Sequence, residues 1–211
     1  TDKKFKSKLD SVLNSVRLEQ SAVSVKVTKI INEVILRKDA ALVEFTNKFD
    51  KLKLDEDKIR FSDKEIKNLI SKVSSEESKT LHYAAERIIK FHERQVPENA
   101  YWTDEAGVSL GWNWLPIKRV GLYVPGGTAS YPSSVLMNAI PAGIAGVKEI
   151  AMVTPIVGSS VNPLVVLAAK ISGVNEIFKV GGAQAIAALT YGTESIAAVD
   201  KIVGPGNSFV A

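Results

Sequence analysis

The chain of 211 residues is 45% hydrophobic and 24% charged, the balance of a globular protein and not of a disordered, collagen-like or disulfide-stapled one. Its net charge of +4 is built from acids interspersed among bases, which favours a solvated helical surface over a nucleic-acid site. Cysteine is absent, which excludes disulfides, thiolate catalysis and cysteine-ligated metals, and no apolar run approaches the ~18 residues of a membrane-spanning helix.

The lysine-bearing N-terminus has no continuous apolar stretch behind it, so no signal peptide is expected and the location read from the sequence is cytoplasmic. The two halves of the chain differ sharply. Residues 1–100 carry 21 Lys and Arg against 17 Asp and Glu, whereas residues 101–211 carry six of each. All 14 glycines and seven of the eight prolines lie after residue 100. This divides the chain into a helical region with a β arm over 1–117 and a Rossmann-like domain over 118–211.

The glycine-free first half favours helix, because little in it supplies positive φ or removes a backbone donor. Ala22, Val25, Ile30, Ile31, Val34 and Ile35 recur at helical spacing, followed by Ala41, Leu42, Phe45 and Phe49. Ser62 with Glu65, and Ser74 with Glu77, are capping boxes that open two further helices. The first carries Ile66, Leu69, Ile70 and Val73. The second runs to about Arg94, with Leu81, Ala84, Ile88 and Phe91 expected on its buried side, and Pro97 ends the pattern. His82 and His92 share that helix but stand ten residues apart, too far to form a helical metal pair. Residues 100–117 alternate and hold three Trp, which predicts short strands in a hairpin-like arm.

From Lys118 short apolar strands alternate with helices: strands over 119–124, 149–153, 176–180 and 201–203, and helices over 133–145, 163–171 and 183–191. Helical connections of this length imply parallel pairing, hence an α/β class with a parallel sheet. The turns after the strands read Pro125-Gly126-Gly127, Thr154-Pro155, Gly181-Gly182 and Gly204-Pro205-Gly206-Asn207. In a parallel sheet all four fall on the carboxyl edge, where open α/β sheets bind ligands. Gly181-Gly182 leads into a helix whose first N–H groups are expected to face an anion. No G-x-G-x-x-G is present, so the usual dinucleotide fingerprint is missing. Three polar residues in these turns are candidate ligand contacts. Tyr123 ends the first strand, Gln184 puts an amide in an otherwise apolar helix (AQAIAALTYG), and Asn207 follows a Gly-Pro-Gly turn.

The segments RVGLYVPGGTASYPSSVLMNAIPAGIAGVKEI (119–150), IFKVGGAQAIAALTYGTESIAAVDKIVGPGNSFVA (177–211) and FHERQ (91–95) resemble the histidinol dehydrogenases. The resemblance implies an aldehyde-dehydrogenase-like architecture and a homodimeric enzyme of histidine biosynthesis. Such an enzyme oxidises L-histidinol through L-histidinal to L-histidine with NAD and a bound zinc. It also implies NAD contacts from a Tyr in LY-x-PGG, a Gln in GGAQAI and an Asn in GPGN, which fall on Tyr123, Gln184 and Asn207. Lys38-Asp39 stands where the family usually has Gly-Asp, a departure that bears on the shape of that turn. The family's chains are longer, and their catalytic Glu-His pair, zinc ligands and histidinol contacts are expected beyond Ala211. No catalytic or metal-ligating residue is therefore assigned within 1–211. The chain is expected to be an N-terminal part, incomplete in its sheet and inactive alone.

Three other readings compete. A non-catalytic α/β module could bind a nucleotide or a partner protein with the same sheet edge. An aldehyde-oxidising enzyme of related architecture would need a nucleophilic Cys, which is absent. A nucleic-acid binder rests only on the modest basic excess.

Overall fold

The computed structural model describes residues 5–126, 131–156 and 161–210. Gly127, the last residue of the first Gly-rich turn, lies outside them. A long helix α1 (Phe5–Asp50) leads through a short 3-10 turn (Glu56–Lys58) to α2 (Asp63–Ile70) and α3 (Ser75–His92). A two-stranded antiparallel arm follows, β1 (Ala100–Thr103) and β2 (Ser109–Trp112), joined with Ala100 opposite Trp112. The remainder alternates: β3 (Arg119–Tyr123), α4 (Pro132–Ile144), β4 (Glu149–Val153), α5 (Pro163–Ile171), β5 (Glu176–Phe178), α6 (Gly182–Tyr191) and β6 (Lys201–Val203). The four later strands form one parallel sheet in the order β5-β4-β3-β6, with Gly121 opposite both Ala151 and Ile202. The class is mixed α/β, as the alternation predicts. No helix among the described residues is long and apolar enough to cross a membrane.

Period-two alternation in the strands feeds two cores, one on each face of the sheet. Val120, Leu122 and Val124 of the first strand and its turn, with Ile150 and Met152 of β4, enter a core shared with α2, α3, α4 and α5. Tyr123, Ala151, Val153 and Phe178 point the other way, into a core closed by α6 and by Ile30, Val34, Ala41, Leu42 and Phe45 of α1. Both cores draw on residues from each side of position 118.

Both capping boxes form. Ser62 Oγ accepts the Glu65 N–H at 3.2 Å while Glu65 takes the Ser62 N–H at 2.8 Å, and Ser74 and Glu77 repeat the pattern. The other oxygen of Glu65 accepts from the buried Lys179 Nζ at 2.6 Å, tying α2 to the chain just beyond β5. Burial along α3 differs from the expected face. Leu81 and Ala85 are buried, Ala84 and Ile88 only partly so, and Phe91 is 61% exposed. Ile88 and Ile89 are the last residues of this face that pack on the core, so Phe91 is left on the surface against His92. Val25, read as part of the apolar face of α1, is also exposed.

Helical spacing runs unbroken through residues 22–49, yet α1 is kinked at Lys38, whose φ is 52° and ψ −128°. The kink is fastened to the loop after α6. Lys38 Nζ donates to the Gly192 carbonyl at 3.2 Å, the Asp39 N–H to Glu194 at 3.1 Å, and Ser195 Oγ to Asp39 at 2.6 Å. These bonds hold a lysine in a backbone region that side chains disfavour.

Candidate functional site

The two edges of the sheet differ. At the amino edge Arg119 bridges Glu149, at 2.6 Å, and Glu176, so the first residues of β3, β4 and β5 are locked together by charge. At the carboxyl edge the turns after β3, β4, β5 and β6 open onto a cavity of roughly 1160 Å³. Its other wall is α1, through Lys26, Ile30, Glu33, Arg37, Phe45 and the terminal Lys48-Phe49-Asp50. This volume lies just above the ~300–1,000 Å³ usual for small-molecule and cofactor sites.

Glycine brings the turns together by approaching neighbouring chain. A Cβ on Gly204, where φ is 138°, would lie 2.1 Å from the Tyr123 carbonyl oxygen, and one on Gly181 2.5 Å from Pro155 Cβ. These glycines therefore close the turns on each other and so set the mouth of the cavity.

Tyr123, Gln184 and Asn207, chosen from three separate turns, all line this one cavity. Each sits differently. The Tyr123 ring is buried in the core and its hydroxyl accepts the Gly182 N–H at 3.2 Å. The first N–H of α6 is thus taken by the chain itself, contrary to the expectation that it faces an anion. The hydroxyl keeps its own proton to donate. Burial, reinforced by the charge of Asp50 and opposed by the Gly182 N–H, holds its pKa above the usual tyrosine value. Gln184 is only 1% exposed, and its amide makes no hydrogen bond to the described residues. Its oxygen lies over the start of α6, 2.8 Å from where a Gly182 Cβ would stand. A buried amide is costly without partners, so one left open beside a cavity marks a place for a ligand's polar group. Asn207 is exposed, and its Oδ1 accepts the Phe209 N–H at 3.0 Å, an Asx turn that leaves the amide N–H₂ to face outward.

Sequence reading missed the α1 contribution. Phe45 and Phe49 stack with centroids 5.8 Å apart and planes 7° from parallel, giving the cavity an aromatic wall. Asp50 follows, with Oδ2 buried and without a partner among the described residues, and burial pushes its carboxyl up to about 6. A signal was present. An acid in the last turn of a helix opposes the helix dipole, and Asp50 closes α1 with no cation bonded to it among the described residues.

The family model for histidinol dehydrogenase matches residues 13–211. Histidinol dehydrogenase from Cereibacter sphaeroides is 53% identical over 207 residues, covering 98% of this chain and 48% of that protein. The one from Ruegeria pomeroyi is 52% identical with the same coverage. A crystal structure of histidinol dehydrogenase from Elizabethkingia anophelis superposes with a TM-score of 0.85 at 40% identity, over 89% of this chain and 43% of that one. The chain spans about half the length of the curated relatives it matches. With a family match over nearly all its residues and a shared fold, the chain belongs to the histidinol dehydrogenase family.

Proposed function

We propose that this chain is the NAD-holding part of an enzyme that oxidises L-histidinol through L-histidinal to L-histidine in histidine biosynthesis. The observation that carries the reading is the open amide of Gln184, buried in a cavity that Tyr123 and Asn207 also line. An elongated cofactor with a carboxamide, hydroxyls and ring nitrogens suits these donors and acceptors. Phe45 and Phe49 offer a flat surface for a base, and Lys26, Lys29 and Lys48 line the cavity where phosphates need positive charge. When bound, NAD supplies the acceptor for the hydride that leaves the alcohol carbon. The residues here bind and orient. Gln184 fixes a polar end of the cofactor, the Tyr123 hydroxyl donates its free proton, and the Asn207 amide donates across the mouth.

Zinc does not fit these residues. Among the described residues no three or more His, Asp or Glu side chains gather as a metal site requires, so no step is routed through a metal here. The base that takes the alcohol proton, the zinc ligands and the histidinol contacts are proposed to come from residues other than these. The 211 residues alone are accordingly proposed to bind and not to turn over. A homodimer, which the family resemblance implies, and a cytoplasmic location complete the reading.

The test is Gln184→Leu in the protein carrying its complete coding sequence. Loss of a buried amide contact should raise the KM for NAD roughly tenfold to a hundredfold, corresponding to ~1–3 kcal/mol. The KM for histidinol should stay within about twofold. An unchanged KM for NAD in a folded variant contradicts the reading.

A further inference from the structure

We infer that Asp50 receives the ribose hydroxyls of the dinucleotide and thereby selects NAD over its 2′-phosphorylated form, an inference that rests on the cofactor reading above. In the usual dinucleotide-binding sheet an acid at the end of the second strand binds the 2′-hydroxyl. Here the residues following β4 are Thr154 and Pro155, and Thr154 is buried. No acid stands in the turns after β3, β5 or β6 either, from Val124 to Gly126, Lys179 to Gly181 or Gly204 to Asn207. The carboxylates among the lining residues are Glu33, Glu44 and Asp50, all on α1.

Two of these three are occupied. Arg37 bonds Glu33 at 3.2 Å and Glu44 at 2.6 Å. Asp50 alone presents a buried oxygen with no partner among the described residues. Burying a carboxylate oxygen unpaired is costly, and a ligand that brings O–H donors removes that cost. A vicinal diol brings two such donors to a carboxylate that lines the cavity. The position favours the sugar over the base. Asp50 follows Phe49 of the aromatic wall and lies close enough to Tyr123 for its charge to act on the tyrosine hydroxyl. A base lying on that wall would place its ribose within the same cavity, which Asp50 also lines. A 2′-phosphate at the same point would set a dianion against a carboxylate, so the contact that binds NAD repels NADP.

The experiment is calorimetric titration of NAD and of NADP into the full-coding-sequence protein, its Asp50→Asn variant and its Gln184→Leu variant, with the Tm of each. Asn keeps the shape of Asp and removes the charge. Asp50→Asn should weaken NAD by roughly tenfold, the loss of a charge-assisted bond, and leave NADP unchanged or tighter. The preference for NAD should therefore shrink by about the same factor. An unchanged preference overturns the inference, whether both affinities fall together or neither moves. Should Asp50→Asn fail to fold, Asp50→Ser removes the same charge and is judged by the same criterion. Gln184→Leu separates the two levels. If it weakens NAD while Asp50→Asn leaves the preference unchanged, only this inference falls. If it leaves NAD unchanged, the cofactor reading falls and this inference with it.

Discussion

Asn207 shows how one side chain can shape a turn and line a cavity at once. Its Oδ1 holds the Phe209 N–H and its carbonyl the Val210 N–H, so the residue shapes the chain after β6 before any cofactor arrives. Truncation to Ala removes both the turn acceptor and the outward donor, and its effect on NAD would be mixed with a local loss of order. A carboxylate at this position would keep the acceptor and lose the N–H₂ group, so Asn207→Asp is the informative change. It should weaken NAD by roughly tenfold, with a Tm within ~2 °C of the parent. Asn207→Ala should lower both. Titration with NAD alongside thermal melts checks this, and an Asn207→Asp affinity within about twofold of the parent would leave the amide only its turn role. Gln184 was legible in the sequence because an amide inside an alanine-rich helix has no reason to be in a plain core. Asp50 gave only the hint of an acid closing a helix, because its significance depends on α1 ending at the mouth of a cavity formed by strands much further along the chain.

Elements were legible where their causes are local. Two capping boxes mark the starts of α2 and α3, and β4, α5 and β6 occupy the residues that alternation and turn chemistry predict. The kink in α1 is different, since apolar spacing continues on both sides of it. Its cause is tertiary: the loop after α6 grips Lys38 and Asp39 through Gly192, Glu194 and Ser195. The sequence offered only a hint, a lysine where the family resemblance implies glycine. Lys38 pays for that geometry in backbone strain of ~1–3 kcal/mol. Lys38→Gly relieves the strain and loses one part-buried hydrogen bond and some unfolded-state restriction, each smaller. The expected net gain is about 1 kcal/mol, or a Tm higher by roughly 2–4 °C for a chain of this size. Differential scanning calorimetry checks it, and a lower Tm would show that the Lys38–Gly192 bond outweighs the strain. Phe91 illustrates the reverse error, in which periodicity extends an apolar face past the last core contact.

At the scale of the whole molecule, composition divides the chain near residue 118 while packing joins it. Helices α2 and α3 cover one face of the sheet, and α1 with α6 covers the other. The cavity exists because of this. The strand turns supply Tyr123, Gln184 and Asn207, and the charged, glycine-free half supplies the aromatic wall, the lysines and Asp50. Sequence reading picked out the cavity residues that lie on the sheet edge, where topology alone gathers residues. It missed those that arrive by packing, because no local pattern states which end of a helix will meet a given edge. The arm of β1 and β2 stands apart from both cores, with Trp102 and Trp112 edge to face at 5.3 Å and both exposed.

The central claim is that the cavity at the carboxyl edge holds NAD, and a crystal structure of the full-coding-sequence protein with NAD bound tests it most directly. The account predicts the dinucleotide lying across the turns after β3, β5 and β6, with the Gln184 amide within about 3.2 Å of a polar cofactor atom. It also predicts the base on the Phe45–Phe49 wall and a ribose hydroxyl on Asp50. NAD bound at another surface, with the Gln184 amide still unpartnered in the cavity, would contradict it.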